Sequence, residues 1–317
     1  MSNKKILMIG ASGSLGEGIC NEIYSQYEIT GTYLNSQKSL KNISFLKLDI
    51  TNQADFSSLE VDFDCVILIA GAMPATMKGY DPKKYIDVNV NGTLNVLEYC
   101  RKNKIKKLIY IMTFSDRYDH FYSGVPIKAN GPASLNYTGD HSIYSISKVA
   151  ACELLEHYHQ EYNLQTIIFR IPTVYCYDDK FDYYVNGEIK TKAYIRMIKN
   201  VMTKNEIEVW GDINNAKDMP YIKDFARLIS LAIEHDSAQG IFNAGTGNPI
   251  SLDNLVDTII EVFSTKNNCR KIFLEEKPSQ PNFTFDMTET KKVFGYEPKY
   301  NLRNMLIDIK KNLKFIK

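Results

Sequence analysis

Three glycines, each separated by two residues, follow directly on a short and mainly apolar segment at 5–9. The motif is Gly10-Ala-Ser-Gly13-Ser-Leu-Gly16. A tight glycine turn between a strand and a helix lets the backbone approach a pyrophosphate and directs helix N–H groups toward it. A Walker A loop is excluded because no Lys follows the last glycine. The motif predicts a dinucleotide site whose contacts are Gly10, Ser12, Gly13, Ser14, Leu15 and Gly16.

The first half of the chain alternates short apolar runs with helical patterns, which is typical of parallel sheets built from βαβ units. The predicted strands are 5–9, 28–34, 43–49, 64–70, 107–111 and 165–171. The predicted helices are 15–27, 82–102 and one that carries Tyr144. With right-handed crossovers, these elements form an α/β fold with a doubly wound parallel sheet of the Rossmann type.

The pattern changes after Tyr175, where a polar and tyrosine-rich passage occupies 177–191. A helical pattern at 221–235 and a strand pattern at 240–245 then indicate returns to the sheet. A further strand is expected near 271–276.

This change of pattern predicts two units. Residues 1–175 are expected to form the dinucleotide-binding domain, with returns near 219–247. Residues 176–218 and 248–317 are expected to form a smaller, mostly C-terminal α/β lobe that binds substrate.

The composition excludes several classes of partner. The 317 residues include 38 basic and 37 acidic side chains, for a formal net charge of +1. Such a balance predicts no binding to nucleic acid or to an anionic membrane. The six cysteines have neither a C-x-x-C pair nor metal-ligand spacing, so reduced thiols and no metal site are expected. No apolar run is long enough for a signal peptide or membrane span, which predicts a cytoplasmic protein.

Tyr144 and Lys148 lie four residues apart on a predicted helix, so their side chains share a face. A cation beside a phenol favours the phenolate and lowers its pKa from about 10. The pair therefore indicates a group that exchanges protons near neutral pH. A lone Tyr-x-x-x-Lys is usually a solvated helix face, so the weight of the pair depends on its context.

The end of the second strand leaves the choice of nicotinamide cofactor open. An acid there binds the ribose 2′-OH of NAD, whereas a basic residue accommodates the 2′-phosphate of NADP. The segment at 32–38 contains no acid, but it does contain Asn35 and Lys38. Both are candidate cofactor contacts, and the cofactor is NAD or NADP.

These motifs together resemble the extended short-chain dehydrogenases/reductases, also called the NAD-dependent epimerase/dehydratase family, which modify nucleotide sugars. The glycine spacing and the Tyr-x-x-x-Lys pair are those of the family. Ordered similarities continue from residue 6 to about 300, and they lie at Leu48-Asp49-Ile50, Ala70-Gly71-Ala72, Asn89-Val-Asn-Gly-Thr93, 170–175, 242–247 and 294–298.

The resemblance implies that Tyr144 is the general acid/base and that Lys148 holds the nicotinamide ribose. Further cofactor contacts are implied at Asp49, Ile50, Ala70, Gly71, Ala72, Asn89 and Pro172. The implied reaction is hydride transfer, most plausibly at C4 of a nucleotide-activated sugar, by an epimerase or a dehydrogenase/ketoreductase. A homodimer formed through the helices 82–102 and 144–162 is implied as well.

A Ser or Thr after the fifth strand is implied to bind the reacting oxygen. Counting forward from the strand favours Thr113, with Ser115 as the alternative. The acid pair of sugar dehydratases is absent after Thr113, which disfavours dehydration, although Asp116 could fold back into the site. Thr113, Thr173 and Lys217 are the expected substrate contacts, Lys217 standing where the family usually has Arg. The long segment 119–140 is expected to form a loop over the substrate mouth.

Two other functions compete with this interpretation. The same fold can reduce a ketone or an aldehyde that carries no nucleotide. A non-catalytic, cofactor-sensing regulator is a different class, and such proteins commonly lose the Tyr or the Lys that this chain retains.

Overall fold

The computed structural model describes residues 4–177, 180–185 and 187–313. Its strands, in chain order, are β1 (Lys5–Ile9), β2 (Glu28–Tyr33), β3 (Ile43–Lys47), β4 (Cys65–Leu68), β5 (Lys107–Thr113), β6 (Gln165–Ile171), β7 (Asp182–Val185), β8 (Glu188–Thr191), β9 (Glu206–Trp210), β10 (Ala216–Lys217), β11 (Gly240–Asn243), β12 (Ile250–Ser251) and β13 (Arg270–Leu274). Its α-helices are α1 (Ser14–Ile23), α2 (Pro82–Tyr85), α3 (Gly92–Lys102), α4 (Asp140–Tyr162), α5 (Ala193–Lys204), α6 (Ile222–Glu234), α7 (Leu252–Phe263), α8 (Thr288–Phe294) and α9 (Leu302–Asn312).

The main sheet has seven strands in the order β3-β2-β1-β4-β5-β6-β11, and each neighbouring pair is parallel. The chain reverses its direction of winding between β1 and β4. In open sheets of this kind, ligands bind outside the carboxyl ends of the strands at such a switch point. The predicted doubly wound parallel sheet is confirmed, and the glycine turn lies at its switch point.

The central strands are apolar on both faces because helices cover both sides of the sheet. Along β1, Ile6 and Met8 join one buried cluster with side chains of α1 and α6. Leu7 and Ile9 join a second cluster with side chains of α3 and α4. This packing explains why β1, β4 and β5 are continuous apolar runs rather than alternating ones.

Several elements differ from the prediction. Residues 82–102 form a continuous helical segment as expected, but a π-helical turn at Ile86–Asn91 separates α2 from α3. Strands β9 and β13 form a parallel pair. Strand β9 was not predicted. A β7–β8 hairpin and a short β10–β12 pair were also missed. These short strands carry little apolar signal of their own.

None of the helices in the described part of the chain combines the length and the apolar character required to cross a bilayer.

Segment 119–140 is anchored to the folded core at Ile127. Ile127 is fully buried, and its N–H donates to the carbonyl of Thr284 at 2.8 Å. The carbonyl of Ile127 accepts from the N–H of Asp286 at 2.9 Å and from Nδ2 of Asn243 at 2.7 Å. The predicted loop is therefore attached to the core at this point, and its position over the substrate mouth stays a prediction.

A buried ion pair and its hydrogen bonds join this part of the chain to the sheet. Nε and Nη2 of Arg170 on β6 donate to the two carboxylate oxygens of Asp116 at 2.9 and 2.7 Å. The remaining terminal nitrogen, Nη1, donates to the carbonyl of Ala129 at 2.8 Å. Both carboxylate oxygens are thus occupied, and the possibility that Asp116 folds back into the site as an acid is wrong.

Replacing Asp116 by Ala would leave the Arg170 guanidinium buried without its counter-ion. We expect the free energy of unfolding to fall by about 3–5 kcal/mol, measured by urea denaturation. The exposed pair of Arg303 and Glu261 provides the control, because Glu261→Ala should change stability by less than about 1 kcal/mol. Equal effects of the two variants would contradict this assignment.

Candidate active site

The glycine turn is shaped by contacts that leave no room for a Cβ atom. Gly10 has a φ of +95°, and a Cβ there would lie 2.7 Å from the backbone nitrogen of Ala70. A Cβ on Gly16 would lie 2.4 Å from the carbonyl oxygen of Gly10. The N-cap residue of α1, Gly13, supplies no side-chain cap to the N–H groups that open the helix. A pyrophosphate therefore fits here, because those N–H groups are the donors that such an anion requires.

Neighbouring segments fix this turn in place. The N–H of Gly10 donates to Oγ1 of Thr32 at 3.1 Å, which ties the turn to β2. Nζ of Lys180 donates to the carbonyl of Ser12 at 2.6 Å. No motif in the sequence pointed to Lys180, because its contact joins residues 168 positions apart.

The side-chain amide of Asn89 links two parts of the site. Oδ1 of Asn89 accepts from the N–H of Ala72 at 2.8 Å, and Nδ2 donates to the carbonyl of Ala72 at 2.9 Å. Nδ2 also donates to Oγ of Ser147 at 2.9 Å, and Ser147 donates to the carbonyl of Tyr144 at 2.7 Å. These bonds engage both N–H donors of the buried amide. Asn89 is therefore placed to order the loop after β4 and helix α4 around a cofactor.

The residues predicted to contact the adenosine end of the cofactor follow the carboxyl ends of β2 and β3. Nζ of Lys38 lies 3.0 Å from Oε2 of Glu17 on α1, whereas Asn35 is exposed. Oδ1 of Asp49 accepts from the N–H and hydroxyl of Thr51 at 2.9 and 2.7 Å. The buried Ile50 side chain packs so closely on Gly92 that a Cβ there would lie 2.8 Å away. The positive charge of Lys38 is thus already paired with a carboxylate.

Tyr144 and Lys148 share the inner face of α4, as predicted. Thr113, at the end of β5, lies near Tyr144, and its hydroxyl favours a lower pKa of the phenol. The ammonium nitrogen of Lys148 lies 4.0 Å from the ring centre of Tyr110. A Cβ on Gly71 would lie 4.0 Å from that nitrogen, so the glycine keeps the space beside Lys148 open. These contacts gather one part of the predicted site at the carboxyl ends of β4 and β5.

Burial moves the pKa values of Tyr144 and Lys148 toward their neutral forms. Burial raises the pKa of Tyr144 to about 12, although the nearby hydroxyl of Thr113 opposes the shift. Burial lowers the pKa of Lys148 to about 8. The expectation that Lys148 lowers the pKa of Tyr144 is wrong for this structure, because desolvation of the phenol is the larger effect.

The position of Ser115 differs from that of Thr113. Oγ of Ser115 lies 2.8 Å from Oγ1 of Thr113 and 2.7 Å from Oγ of Ser145. Thr113 and Ser115 thus belong to one hydrogen-bonded cluster with Ser145, and the choice between the two as the catalytic hydroxyl stays a prediction.

A cavity of about 480 Å³ lies beside the first turn of α4. Its wall includes Asp140 and His141 from that turn, and the His141 ring is 6.4 Å from the Tyr144 ring. The remaining lining comes from 74–80 and from the β7–β8 hairpin, and it includes the aromatic side chains Tyr80, Tyr183 and Tyr184. No local pattern in the sequence brings these residues together, since the hairpin lies far from α4 along the chain.

The other predicted substrate residues lie outside this group. Thr173 is exposed just beyond β6, after the buried Pro172. Lys217 lies on β10, in a separate two-stranded sheet, and burial lowers the pKa of its ammonium. Its neighbour Asp218 accepts hydrogen bonds from the N–H groups of Thr246 and Gly247 at 2.7 and 2.8 Å. Asp218 thus holds the turn after β11, and Lys217 remains a candidate for substrate.

Comparison with known proteins gives a consistent result. The sequence profile of the NAD dependent epimerase/dehydratase family matches residues 6–245. A UDP-glucuronate 4-epimerase from Thermodesulfobacterium geofontis is 29% identical over 88% of this chain and 83% of its own.

Two solved structures share the fold. The UDP-glucose 4-epimerase of Thermotoga maritima, solved with UDP-glucose, has a TM-score of 0.81 at 22% identity, over 99% of this chain and 100% of that chain. The UDP-glucuronic acid 4-epimerase of Bacillus cereus, solved with NAD, has a TM-score of 0.76 at 22% identity, with the same coverage.

Replacing Lys148 by Met should stabilise the protein at pH 7, by about 1–3 kcal/mol, because it removes a buried charge. The pKa of Lys148 is about 8 when folded and 10.5 for an ordinary lysine. Above pH 8 the folded wild type therefore binds fewer protons than the unfolded chain, so its stability rises with pH up to about 10.5. The advantage of the variant should shrink over that range in urea titrations at pH 7 and 9.5.

The exposed Lys311 supplies the matched control. Lys311→Met should change the free energy of unfolding little at either pH. A destabilised Lys148→Met variant at pH 7 would contradict the assigned cost of burying this ammonium.

Proposed function

Because the chain belongs to the NAD-dependent epimerase/dehydratase family, we propose that it is an NAD-dependent epimerase of a nucleotide-activated sugar. The observation that carries the proposal is the placement of Tyr144 and Lys148 on one face of α4, one helical turn apart, next to the end of β5 that carries Thr113. The UDP-sugar 4-epimerases among its relatives support the choice of epimerisation and of UDP as the nucleotide.

Bound NAD would supply the acceptor and donor for hydride transfer at C4 of the sugar. The glycine turn from Gly10 to Gly16 would hold its pyrophosphate against the start of α1. Gly71 leaves space beside Lys148, where the ammonium would bind the nicotinamide ribose. Asn89 would keep that space open through its hydrogen bonds to Ala72.

Tyr144 is the proposed proton carrier. As the phenolate, it takes the proton of the sugar hydroxyl when the hydroxyl is oxidised, and the phenol so formed returns that proton when the ketone is reduced. Thr113 lies near the phenol and would position the reacting oxygen beside it. The cavity next to the first turn of α4 offers room for a sugar that must rotate between the two half-reactions.

The pairing of Lys38 favours NAD over NADP. Glu17 lies 3.0 Å from the ammonium of Lys38, so a 2′-phosphate placed there would also meet a carboxylate. Like charges at close range disfavour binding. The NAD complexes among the similar structures support this choice.

We propose that 176–218 and 248–317 form the substrate lobe, against a dinucleotide-binding domain at 1–175 with returns near 219–247. Thr173 and Lys217 would contact the nucleotide sugar from this side. A homodimer formed through the helices 82–102 and 144–162, in the cytoplasm, completes the proposal. A solution mass equal to the 36.3 kDa of a single chain would reject the dimer.

Tyr144→Phe should lower kcat for UDP-sugar epimerisation by at least about 100-fold, since it removes the acid/base hydroxyl. Binding of NAD should be retained, because the phenol oxygen is not needed to hold the pyrophosphate. The measurement is chromatographic separation of the C4 epimers with UDP-glucose and UDP-glucuronate as substrates. Accumulation of NADH with a keto product would instead identify a dehydrogenase.

Tyr162→Phe is the control for this experiment. It removes a hydroxyl from the far end of the same helix, where the side chain is half exposed. Its kcat should match that of the wild type. If Tyr144→Phe keeps full turnover while the protein is folded and binds NAD, Tyr144 is not the acid/base.

NAD should bind at least about tenfold more tightly than NADP, and Glu17→Gln should narrow that difference because it releases Lys38. Thermal shifts at matched ligand concentrations give both affinities. In the presence of NAD, UDP should stabilise the protein more than GDP, CDP or dTDP. Tighter binding of NADP would reject the cofactor assignment. No stabilisation by any nucleotide would favour a carbonyl substrate without one.

A further inference from the structure

The ammonium group of Lys180 lies at the glycine turn that is proposed to hold the cofactor. Nζ of Lys180 donates to the carbonyl oxygen of Ser12 at 2.6 Å. Ser12 lies between Gly10 and Gly13, in the turn that leads to the N–H groups suited to a pyrophosphate. A positive charge from a distant part of the chain therefore stands next to the predicted anion site.

The chemistry of this group suits a phosphate ligand. An ammonium has three N–H donors and no acceptor, so a bond to a carbonyl is compatible with a further bond to an anionic oxygen. Lysine is a common phosphate-binding residue because it acts as a point charge. The first acidic residue after the turn, Glu17, is already paired with Lys38 at 3.0 Å. That carboxylate therefore has a cation of its own.

Lys180 lies between a contact with α1 and the base of a hairpin. Before it in the chain, the hydroxyl of Tyr177 donates to Oε1 of Glu22 on α1 at 2.7 Å. After it, the N–H of Lys192 donates to the carbonyl of Phe181 at 2.7 Å, which closes the base of the β7–β8 hairpin. The position of Lys180 is therefore linked to both the helix that follows the glycine turn and the hairpin.

The same hairpin forms a wall of the cavity beside α4. Tyr183 and Tyr184 of β7 line this cavity. Between β7 and β8, Gly187 has a φ of +81°, and a Cβ there would lie 2.8 Å from the carbonyl oxygen of Lys78. The hairpin thus reaches from the glycine turn at its base to the loop after β4. Because an isolated two-stranded hairpin is only marginally stable, its position depends on the contacts at these two ends.

We propose that Lys180 is a cofactor-binding residue whose ammonium binds the pyrophosphate of NAD and thereby holds the β7–β8 hairpin on the sugar cavity. The choice of NAD as the ligand rests on the proposed function, but the binding requires no turnover. The two sites are then coupled. Bound NAD favours the hairpin position that completes the cavity, and a nucleotide sugar in the cavity favours NAD by the same factor.

Lys180→Met removes the charge and keeps an apolar stem. The side chain is exposed, so the variant should fold. NAD should bind about three- to tenfold more weakly, because one exposed charge contact to a phosphate is lost. Isothermal titration calorimetry without substrate measures the Kd. The difference from the wild type should shrink at about 1 M NaCl, where exposed charges are screened.

Two further variants separate this contact from a general effect of charge. Lys180→Arg keeps the positive charge and should retain most of the affinity for NAD. Lys190→Met makes the same substitution on β8, where the ammonium is paired with Glu188, and it should leave the Kd unchanged. Wild-type affinity in Lys180→Met, or equal losses in Lys180→Met and Lys190→Met, would overturn the proposal.

Hydrogen exchange measures the effect on the hairpin. NAD should slow amide exchange in the wild-type peptides that cover β7 and β8, because local opening must then break one more contact. In Lys180→Met with saturating NAD, this protection should be lost while protection at the glycine turn remains. Equal protection of the hairpin in both proteins would overturn the role of Lys180 in holding it.

Turnover distinguishes a failure of the proposed function from a failure at Lys180. If the wild type binds NAD but epimerises no UDP-sugar, the proposed function fails while the titrations still decide on Lys180. If the wild type is active and Lys180→Met binds NAD with unchanged affinity, only the role of Lys180 is overturned. A wild type that binds no dinucleotide would overturn both.

Discussion

The amide of Asn89 is the contact on which the geometry of the site depends. It forms one bonded unit with the backbone of Ala72 and the hydroxyl of Ser147, and Ser147 bonds the carbonyl of Tyr144. The loop after β4 and the helix of the proposed acid/base therefore cannot shift independently. Asn89 reaches this position from the π-helical turn at Ile86–Asn91. Such turns occur frequently at functional sites. Here the turn carries the side chain that joins the loop after β4 to α4.

The sequence predicted the sheet well because its strands are buried on both sides. Runs such as the one at β4 have few alternatives to the centre of a parallel sheet, and the glycine turn marks the position of β1. The strands β7 to β10 and β12, which belong to small two-stranded sheets outside the main sheet, were missed. Such short strands carry weak patterns. Long-range pairs escaped prediction for a different reason. The contact of Lys38 with Glu17 depends on how the end of β2 folds back over α1, which no local pattern specifies.

The direction of the pKa shift of Tyr144 was predicted wrongly for a related reason. A spacing of four residues indicates that two side chains share a face, but it does not reveal how dry that face is. In the structure the ammonium of Lys148 lies over the ring of Tyr110, and burial controls both groups. Desolvation disfavours the phenolate and the ammonium alike. The proximity of a charge therefore decides a pKa only after the cost of burying that charge is included.

Two sets of contacts hold the backbone around the proposed site. The amide of Asn89 joins the loop after β4 to α4. The buried pair of Arg170 and Asp116 joins the segment after β5 to β6. Thr113 and Ser115 lie just before Asp116 in the chain and share hydrogen bonds with Ser145 of α4. In the proposed reaction, the hydroxyl protons near Tyr144 could therefore reorient by rotation about C–O bonds while the backbone that carries them stays in place.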